Sequence, residues 1–465
     1  MSVVATSPAR FTPKQRLILL VLLGAGFMLS VDFSILNVSL PEAGTGVGLD
    51  STGLPWITAS FALPAAGLTL LCGRLADLFG RRRMFLSAMV VLIAGSVLGG
   101  LAADPETLLT ARVLQGLATA MATPAALSLL TTTFAEGTAR ERVLGLNGAL
   151  QSAGFTVGAL LGGALVSLLG WRAAFFVNVP VALVILVLTP RLMEESRAGG
   201  KVRMDVPGAV TVTGGLLAVI YAVLEANVLV AVVGVLLLAA FWMIELRSPA
   251  PLASVRILAR RTVKWGACAG LVIFAMEPAM IFLTTLYLQD VLGFGPLATG
   301  VIFGIPGLAS VAAGLLAGRI IGRLGARMVL VASLAVQGAA TLPLVFLGTG
   351  PAALAILILA LFIGFFGHVA AIVAFTVTAT SGLPDRDQGL ATGITSLTQQ
   401  VGMTIGIPIL SALATTHSVQ LTGIHLALSV DVAITLAAAS LVWLGLRPRR
   451  TQPAATPTPL AVASR

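Results

Sequence analysis

The sequence predicts an all-α integral membrane protein of fourteen transmembrane helices, and three observations carry the prediction. The 465 residues are 57% hydrophobic and only 10% charged, with a mean hydropathy of +1.03, far outside the range of soluble globular domains. Apolar windows of about 20 residues, the length that crosses a hydrocarbon core about 30 Å thick, recur along almost the whole chain. They fall at 17–40, 56–72, 84–102, 107–130, 145–169, 173–189, 206–224, 228–244, 266–288, 299–317, 328–347, 352–380, 389–414 and 424–445. These runs are continuous and rich in Leu, Ala, Val and Gly, whereas barrel strands alternate apolar and polar residues over short segments. Thirdly, 26 of the 28 Lys and Arg lie before the first window, after the last, or in alternate connections. Arg112, inside span 4, and Arg172, in an outward loop, are the exceptions. Positive charge stays on the cytoplasmic side, so a multi-pass protein of the cell membrane with both termini cytoplasmic is expected, and the 25 Arg against 3 Lys point to a GC-rich bacterial genome.

Those cations explain the net charge of +10 without nucleic acid, because at loop ends they fix topology and meet anionic lipid head groups. The apolar run at the N-terminus continues to Leu40 without a small-residue cleavage site, so it reads as a retained span and not as a signal peptide. Cys72 and Cys268, within spans 2 and 9, offer neither a disulfide framework nor a metal spacing. No metal site is expected.

A shift of 245 residues aligns Arg16 with Arg261, Asp32 with Glu277, Gly48 with Gly293, Gly73 with Gly318, Arg74 with Arg319, Gly80 with Gly325 and Arg82 with Arg327. A shift of 248 aligns Gly145 with Gly393, Gln151 with Gln399, Gly154 with Gly402 and Gly158 with Gly406. The repeated unit is therefore six helices long and recurs in the same orientation. The organisation expected is a cytoplasmic N-terminus at 1–16, a six-helix half at 17–189, cytoplasmic linkers with the inserted spans 7 and 8 at 190–264, a second half at 265–446, and a disordered Pro/Thr/Ala-rich tail at 447–465. Parallel repeats of this kind build secondary transporters whose binding site lies between the halves near the midplane. On that symmetry Asp32 and Glu277 are expected to face each other across a central cavity.

Along the chain, span 1 carries Asp32 and Asn37 in an otherwise apolar run. The connection after span 2 reads GRLADLFGRRR, Gly73 to Arg83, with Gly73, Arg74, Asp77, Gly80 and Arg81 as a candidate conformational loop: the glycines permit close approach and a tight turn, and the acid can pair with an Arg or with a neighbouring helix N-terminus. It recurs in degraded form as GRIIGRLGAR, Gly318 to Arg327, with Gly322 in place of the acid. Span 4 contains ARVLQG, with Arg112 and Gln115 at the depth of Asp32. Span 5 reads GFTVGALLGG, in which Gly154, Gly158 and Gly162, followed by Gly163, give a face for close helix packing. WRAAFFVNVP opens span 6. Span 9 carries Glu277 beside Pro278, and LYLQDVLGFGPLATG follows it. His368, Gln399 and Asp431 lie in spans 12, 13 and 14.

The loop after span 2 resembles the signature of the major facilitator superfamily, and ARVLQG is similar to that superfamily's buried-arginine motif. VDFSILNVSLP in span 1, the loop after span 9 and WRAAFFVNVP resemble the fourteen-span drug/proton antiporters. The resemblance implies the major facilitator fold. One departure stands out: Ala159 replaces the proline of the family's antiporter motif, which makes a kink in span 5 less assured.

An ionisable residue at mid-membrane costs about 2.5 to 3.5 kcal/mol on translocon scales, so its retention points to function. Asp32, Arg112 and Glu277 are the expected proton and substrate coupling residues, Asp32 pairing intermittently with Arg112. A permanent structural ion pair is the alternative. Asn37, Gln115, Gln151, Gln399 and His368 are candidate cavity polar groups. Asp431 is the weaker candidate, because the last helix of each half is usually peripheral in this superfamily. No GxxxxGK[ST] loop is present, so the proton gradient is the expected energy source and no cofactor is needed. No catalytic cluster emerges and no enzyme activity is expected. Together these readings give a monomeric, proton-coupled exporter of amphipathic or cationic small molecules, with a transporter of one specific metabolite as the alternative.

Overall fold

The computed structural model describes residues 11–50, 53–134, 138–196, 205–225, 227–248, 259–381 and 385–447. Most of the expected cytoplasmic N-terminus, much of the two linkers and nearly all of the expected disordered tail lie outside them. The described residues form helices and contain no β-strand. Fourteen helices are numbered here: α1 Pro13–Gly46, α2 Leu54–Phe79, α3 Arg81–Gly100, α4 Pro105–Thr133, α5 Thr138–Leu169, α6 Ala173–Leu192, α7 Val206–Leu224, α8 Val228–Arg247, α9 Arg261–Val291, α10 Pro296–Leu324, α11 Ala326–Phe346, α12 Ala353–Thr380, α13 Asp385–Ala414 and α14 Gln420–Gly445. Ten are single helices long and apolar enough to cross a bilayer, and α2 also qualifies if its two segments, bent by 54° between Thr69 and Leu71, count as one span. Within α5, α7 and α13 the apolar segments are shorter: Ala153–Leu169, Val206–Val219 and Val401–Ala414.

Local chemistry accounts for the helix ends. Thr12 and Gln15 form a reciprocal capping box that starts α1. Asp104 caps α4 by accepting from the Thr107 amide at 2.8 Å and from its hydroxyl, which holds the Asp104 carboxyl below its ordinary range. A break at Val177 divides α6, because Pro180 lacks an N–H and sits in the first turn of the segment that follows. The glycines aligned by the repeat share their geometry: Gly48 and Gly293 have φ of 83° and 71°, and Gly80 and Gly325 have φ of 119° and 80°. Only glycine adopts these values freely.

Packing follows the same repeat. In the first half α1 lies on α5 and α2 on α4; in the second α9 lies on α13 and α10 on α12. Across the halves α5 meets α10 and α2 meets α13, while α7 bridges α2 and α13 and carries α8 on its outside. One large apolar core gathers residues of both halves, including Ile35, Leu40, Trp171, Met280, Leu357 and Ile424, toward the ends of the helices remote from the Arg81–Arg83 turn. Toward the basic end each half has a core of its own, around Phe85 and Leu129 in one and around Phe274 and Phe375 in the other. Among the described residues, the halves thus share a core at one end and have distinct cores at the other.

The basic turns are clasped to the last helix of their own half. Asp77 pairs with Arg81 at 2.9 Å, and the Glu195 carboxylate, just past α6, accepts from the Arg82 and Arg83 amides at 3.0 and 3.1 Å. A side chain at Gly80 would strike that carboxylate, its Cβ lying 2.5 Å from Glu195 Cδ. Arg82 also donates to the Met193 carbonyl at 2.9 Å, and its repeat partner Arg327 donates to the Trp443 carbonyl at 3.1 Å. Cationic donors thereby satisfy carbonyls at the ends of α6 and α14.

Glycine spacing sets how closely α1 seats. A Cβ on Gly154 or Gly158 would lie 2.7 Å from the carbonyl oxygen of Phe27 or Val31, and one on Gly162 would lie 3.0 Å from Ile35 Cα. Gly163 instead faces the other half, where its Cβ would lie 2.6 Å from the Pro296 carbonyl oxygen. Gly158→Val is expected to destabilise the chain by about 1 to 3 kcal/mol, the usual cost of overpacking. Gly24→Ala, where nothing lies within 4 Å, is expected to be neutral. Thermal unfolding in detergent checks the pair, and an unchanged midpoint for Gly158→Val would contradict the seating.

Candidate functional site

In the first half four helices converge on Asp32, which is 1% exposed. Its Oδ1 accepts from Gln115 Nε2 at 3.1 Å and from Asn178 Nδ2. Its Oδ2 lies 3.7 Å from Arg112 Nη1, an ion pair without a direct hydrogen bond. Arg112, itself 1% exposed, spends its donors on Gln115 Oε1 at 2.7 Å and on the Ile57 carbonyl at 3.2 Å, with its guanidinium 4.4 Å from the Phe61 ring centroid. Ser96 Oγ receives both amides, from Gln115 at 3.2 Å and from Asn178 at 3.3 Å. Arg112 and Gln115 are one turn apart on α4, so Gln115 bridges the two charges. The pair balances charge in a setting where either ion alone would be costly, and the long Asp32–Arg112 approach leaves Oδ2 free to accept a proton.

The second half repeats the helices but not the chemistry. Glu277, 3% exposed on α9, accepts from Gln337 Nε2 of α11 at 3.2 Å, and His368 Nδ1 of α12 lies 3.8 Å from the same oxygen. Asp431 of α14, 1% exposed, accepts from Thr435 at 3.2 Å. The helix that was expected to be peripheral therefore turns its acid inward. His368 also stands edge-on to Phe274, with ring centroids 6.4 Å apart.

Asp32 and Glu277 do not face each other across a cavity. Each points at the α3, α4 and α6 side or the α11 and α12 side of its own half, because that is where the partners of a buried carboxylate are. One space between the halves is lined by Ser34, Asn37 and Val38 of α1, Phe155 and Ala159 of α5, Ile281 of α9, Phe303 of α10 and Phe365 of α12. It is too small for a drug-sized molecule, which needs about 300 Å³ or more. Asn37 is the expected cavity residue that the structure places in this lining, and its Nδ2 has no partner. Gln115 and His368 belong instead to the two buried nests. Gln151, half-buried on α5, lies beside Gly26 of α1, and Gln399 is half-buried on α13. At the basic end, Gly73 lies against Pro124 of α4, while Gly80 and Arg81 sit in the clasp; these and Arg74 and Asp77 are apart from both nests.

Ser96, Asn178 and Gln337 complete the nests and were not singled out from the sequence. Asn178 had a signal, as the one strongly polar side chain after the bend residues of WRAAFFVNVP. Ser96 and Gln337 gave none beyond polarity within an apolar helix.

Comparison with known proteins places this geometry. Residues 22–407 match the family model of the Major Facilitator Superfamily. The puromycin resistance protein pur8 of Streptomyces alboniger is 36% identical over 410 residues, covering 85% of this chain and 81% of that protein. The cephamycin export protein CmcT of Amycolatopsis lactamdurans is 36% identical over 408 residues, covering 83% and 82%. Among solved structures, an auto-inhibited peptide transporter of the POT family superposes with a TM-score of 0.73 at 18% identity, over 95% of this chain and 99% of that one, a likeness of fold. From matched model, relatives and fold together, the chain belongs to the Major Facilitator Superfamily.

Proposed function

We propose that this chain exports amphipathic small molecules, antibiotics or related drugs, across the cell membrane by alternating access, in exchange for protons. The observation that carries the reading is the Asp32–Arg112 nest: a carboxylate held in the membrane with one oxygen unbonded, beside a cation whose hydrogen bonds are made elsewhere. Protonation of Asp32 cancels its attraction for Arg112 and leaves that cation to its amide and carbonyl partners, which shifts the balance between packings of α1 and α4. A gradient supplies about 2.3 kcal/mol per charge per 100 mV, so no ATP and no cofactor is required. Both termini face the cytoplasm, and the chain works as a monomer among anionic lipids, as a transporter and not an enzyme.

The relatives named for puromycin resistance and cephamycin export support the choice of cargo. So does the lining between the halves, which offers three phenylalanines, aliphatic side chains and one unsatisfied amide donor, and no charged side chain. Such a surface suits a molecule with an apolar or aromatic face and a hydrogen-bond acceptor. Separate cores at the basic end let the halves part there, so cargo would enter from the cytoplasm while the shared core seals the other end.

In inverted vesicles, a pH gradient is expected to accelerate uptake of puromycin or ethidium by the wild-type chain, and Asp32→Asn is expected to remove the acceleration. Equal gradient dependence in the two chains would contradict the assignment. Asn37→Ala deletes the donor in the lining, and for whichever compound is transported its affinity should fall up to about tenfold, the equivalent of one neutral hydrogen bond. Equilibrium binding to the purified chain measures this, and unchanged affinity would remove Asn37 from the site.

A further inference from the structure

Two hydrogen bonds cross between the halves at the end remote from the basic turns, and neither belongs to the two buried nests. Gln289 Nε2 of α9 donates to the Val38 carbonyl of α1 at 2.9 Å. The Leu297 amide, in the first turn of α10, donates to Ser167 Oγ of α5 at 3.0 Å. Local structure builds in both. The last turn of α9, Tyr287–Val291, is a π-helix, closed by the Leu292 amide on the Tyr287 carbonyl at 3.0 Å, a rare geometry. It sends three side chains three ways. Tyr287 donates to the Gly348 carbonyl at 2.6 Å and Asp290 accepts from Gln420 at 2.8 Å, both within the second half, while Gln289 reaches the first. On the α1 side Pro41 has no N–H, so the Asn37 carbonyl loses its helical donor. The turn at Asn37 and Val38 is therefore short of one helical bond, and it lines the space between the halves. Helix α10 has Gly295 as its N-cap, with no side chain to offer, and Ser167 supplies the acceptor that its first-turn amide would otherwise lack.

The repeat shows that the fold does not demand these contacts. The 245-residue shift puts Gly44 at the position of Gln289, and Gly44 is packed on Leu54 of its own half. The 248-residue shift puts Thr415 at the position of Ser167, and its hydroxyl donates back to the Ala412 carbonyl of its own half at 3.0 Å. We propose that Gln289 and Ser167 form a latch that holds the two halves together at the remote end, with Gln289 pinning the turn of α1 that carries Asn37. Each bond joins a helix of one half to a helix of the other, so parting α1 from α9 and α5 from α10 breaks both. The close approach of Gly163 and Gly300 couples them, because it lets α5 and α10 lie backbone to backbone next to the Ser167 contact. That this opening discharges cargo rests on the reading of the chain as an exporter; the latch itself does not.

The test is hydrogen–deuterium exchange of the purified full chain in lipid, read by mass spectrometry, with each variant read at the contact it does not touch. Gln289→Leu keeps the bulk and removes the donor, and it should speed exchange in the first turn of α10. Ser167→Ala should speed exchange in the last turns of α1. Each rise should reach up to about tenfold, the shift in an open–closed balance that one neutral hydrogen bond supports. Ser167→Thr keeps the acceptor and should exchange as the wild type does. In both opened variants the Arg81–Arg83 turn should exchange more slowly, as the basic end closes. Ser167 is exposed, so Ser167→Ala tests the latch even where Gln289→Leu disturbs folding. A rise confined to the altered contact in each variant, or Ser167→Thr behaving as Ser167→Ala, would overturn the inference. Linked rises at the remote end with unchanged exchange in the basic turn would support the latch and contradict alternating access.

Discussion

A carboxylate surrounded by hydrocarbon has to be paired, hydrogen-bonded or protonated, and the arrangement of each half is built around meeting that requirement. In the first half, α1 can bring Asp32 to Arg112 only because Gly154, Gly158 and Gly162 let its backbone lie against α5. Helix α4 supplies Arg112 and, one turn on, the amide that links the two charges. Helix α3 supplies Ser96, and the break before Pro180 puts Asn178 at the same level. A change in the charge of Asp32 would therefore be felt by four helices, the route by which the proposed proton would bias a whole half.

The larger architecture gives that bias somewhere to act. Both halves contribute to one apolar core at the end remote from the basic turns, and each keeps a core of its own at the basic end. Cores packed separately can move as bodies, whereas a shared core must be broken to open. The Gly163–Gly300 contact brings the α5 and α10 backbones together within the shared region, and the Glu195 clasp ties the Arg81–Arg83 turn to the end of α6, so that the first half moves with its basic turn attached.

Much of this was legible in the sequence. Apolar length, alternating arginines and the 245-residue repeat lead to the helical bundle with an inserted pair, because hydrocarbon thickness and backbone satisfaction leave few alternatives. Asp32, Arg112 and Gln115 were visible as polar residues at a common depth. The facing of Asp32 and Glu277 was not: repeat symmetry equates their depth but leaves helix rotation open, and rotation is decided by where Gln115, Asn178 and Gln337 offer partners. Asp431 was undervalued for the same reason, since a peripheral helix can still turn one side inward. Ala159, where a family proline was expected, lies in a helix that runs unbroken from Thr138 to Leu169 and whose glycines act by close packing.

The central claim is that the charge on Asp32 sets the balance between packings of the two halves. Spin labels at Leu168 on α5 and Leu297 on α10, both exposed and on opposite halves, report that balance as a distance distribution. In lipid, the wild-type distribution should change with pH, and Asp32→Asn should hold one distribution at every pH. A variant that follows pH as the wild type does would contradict the account.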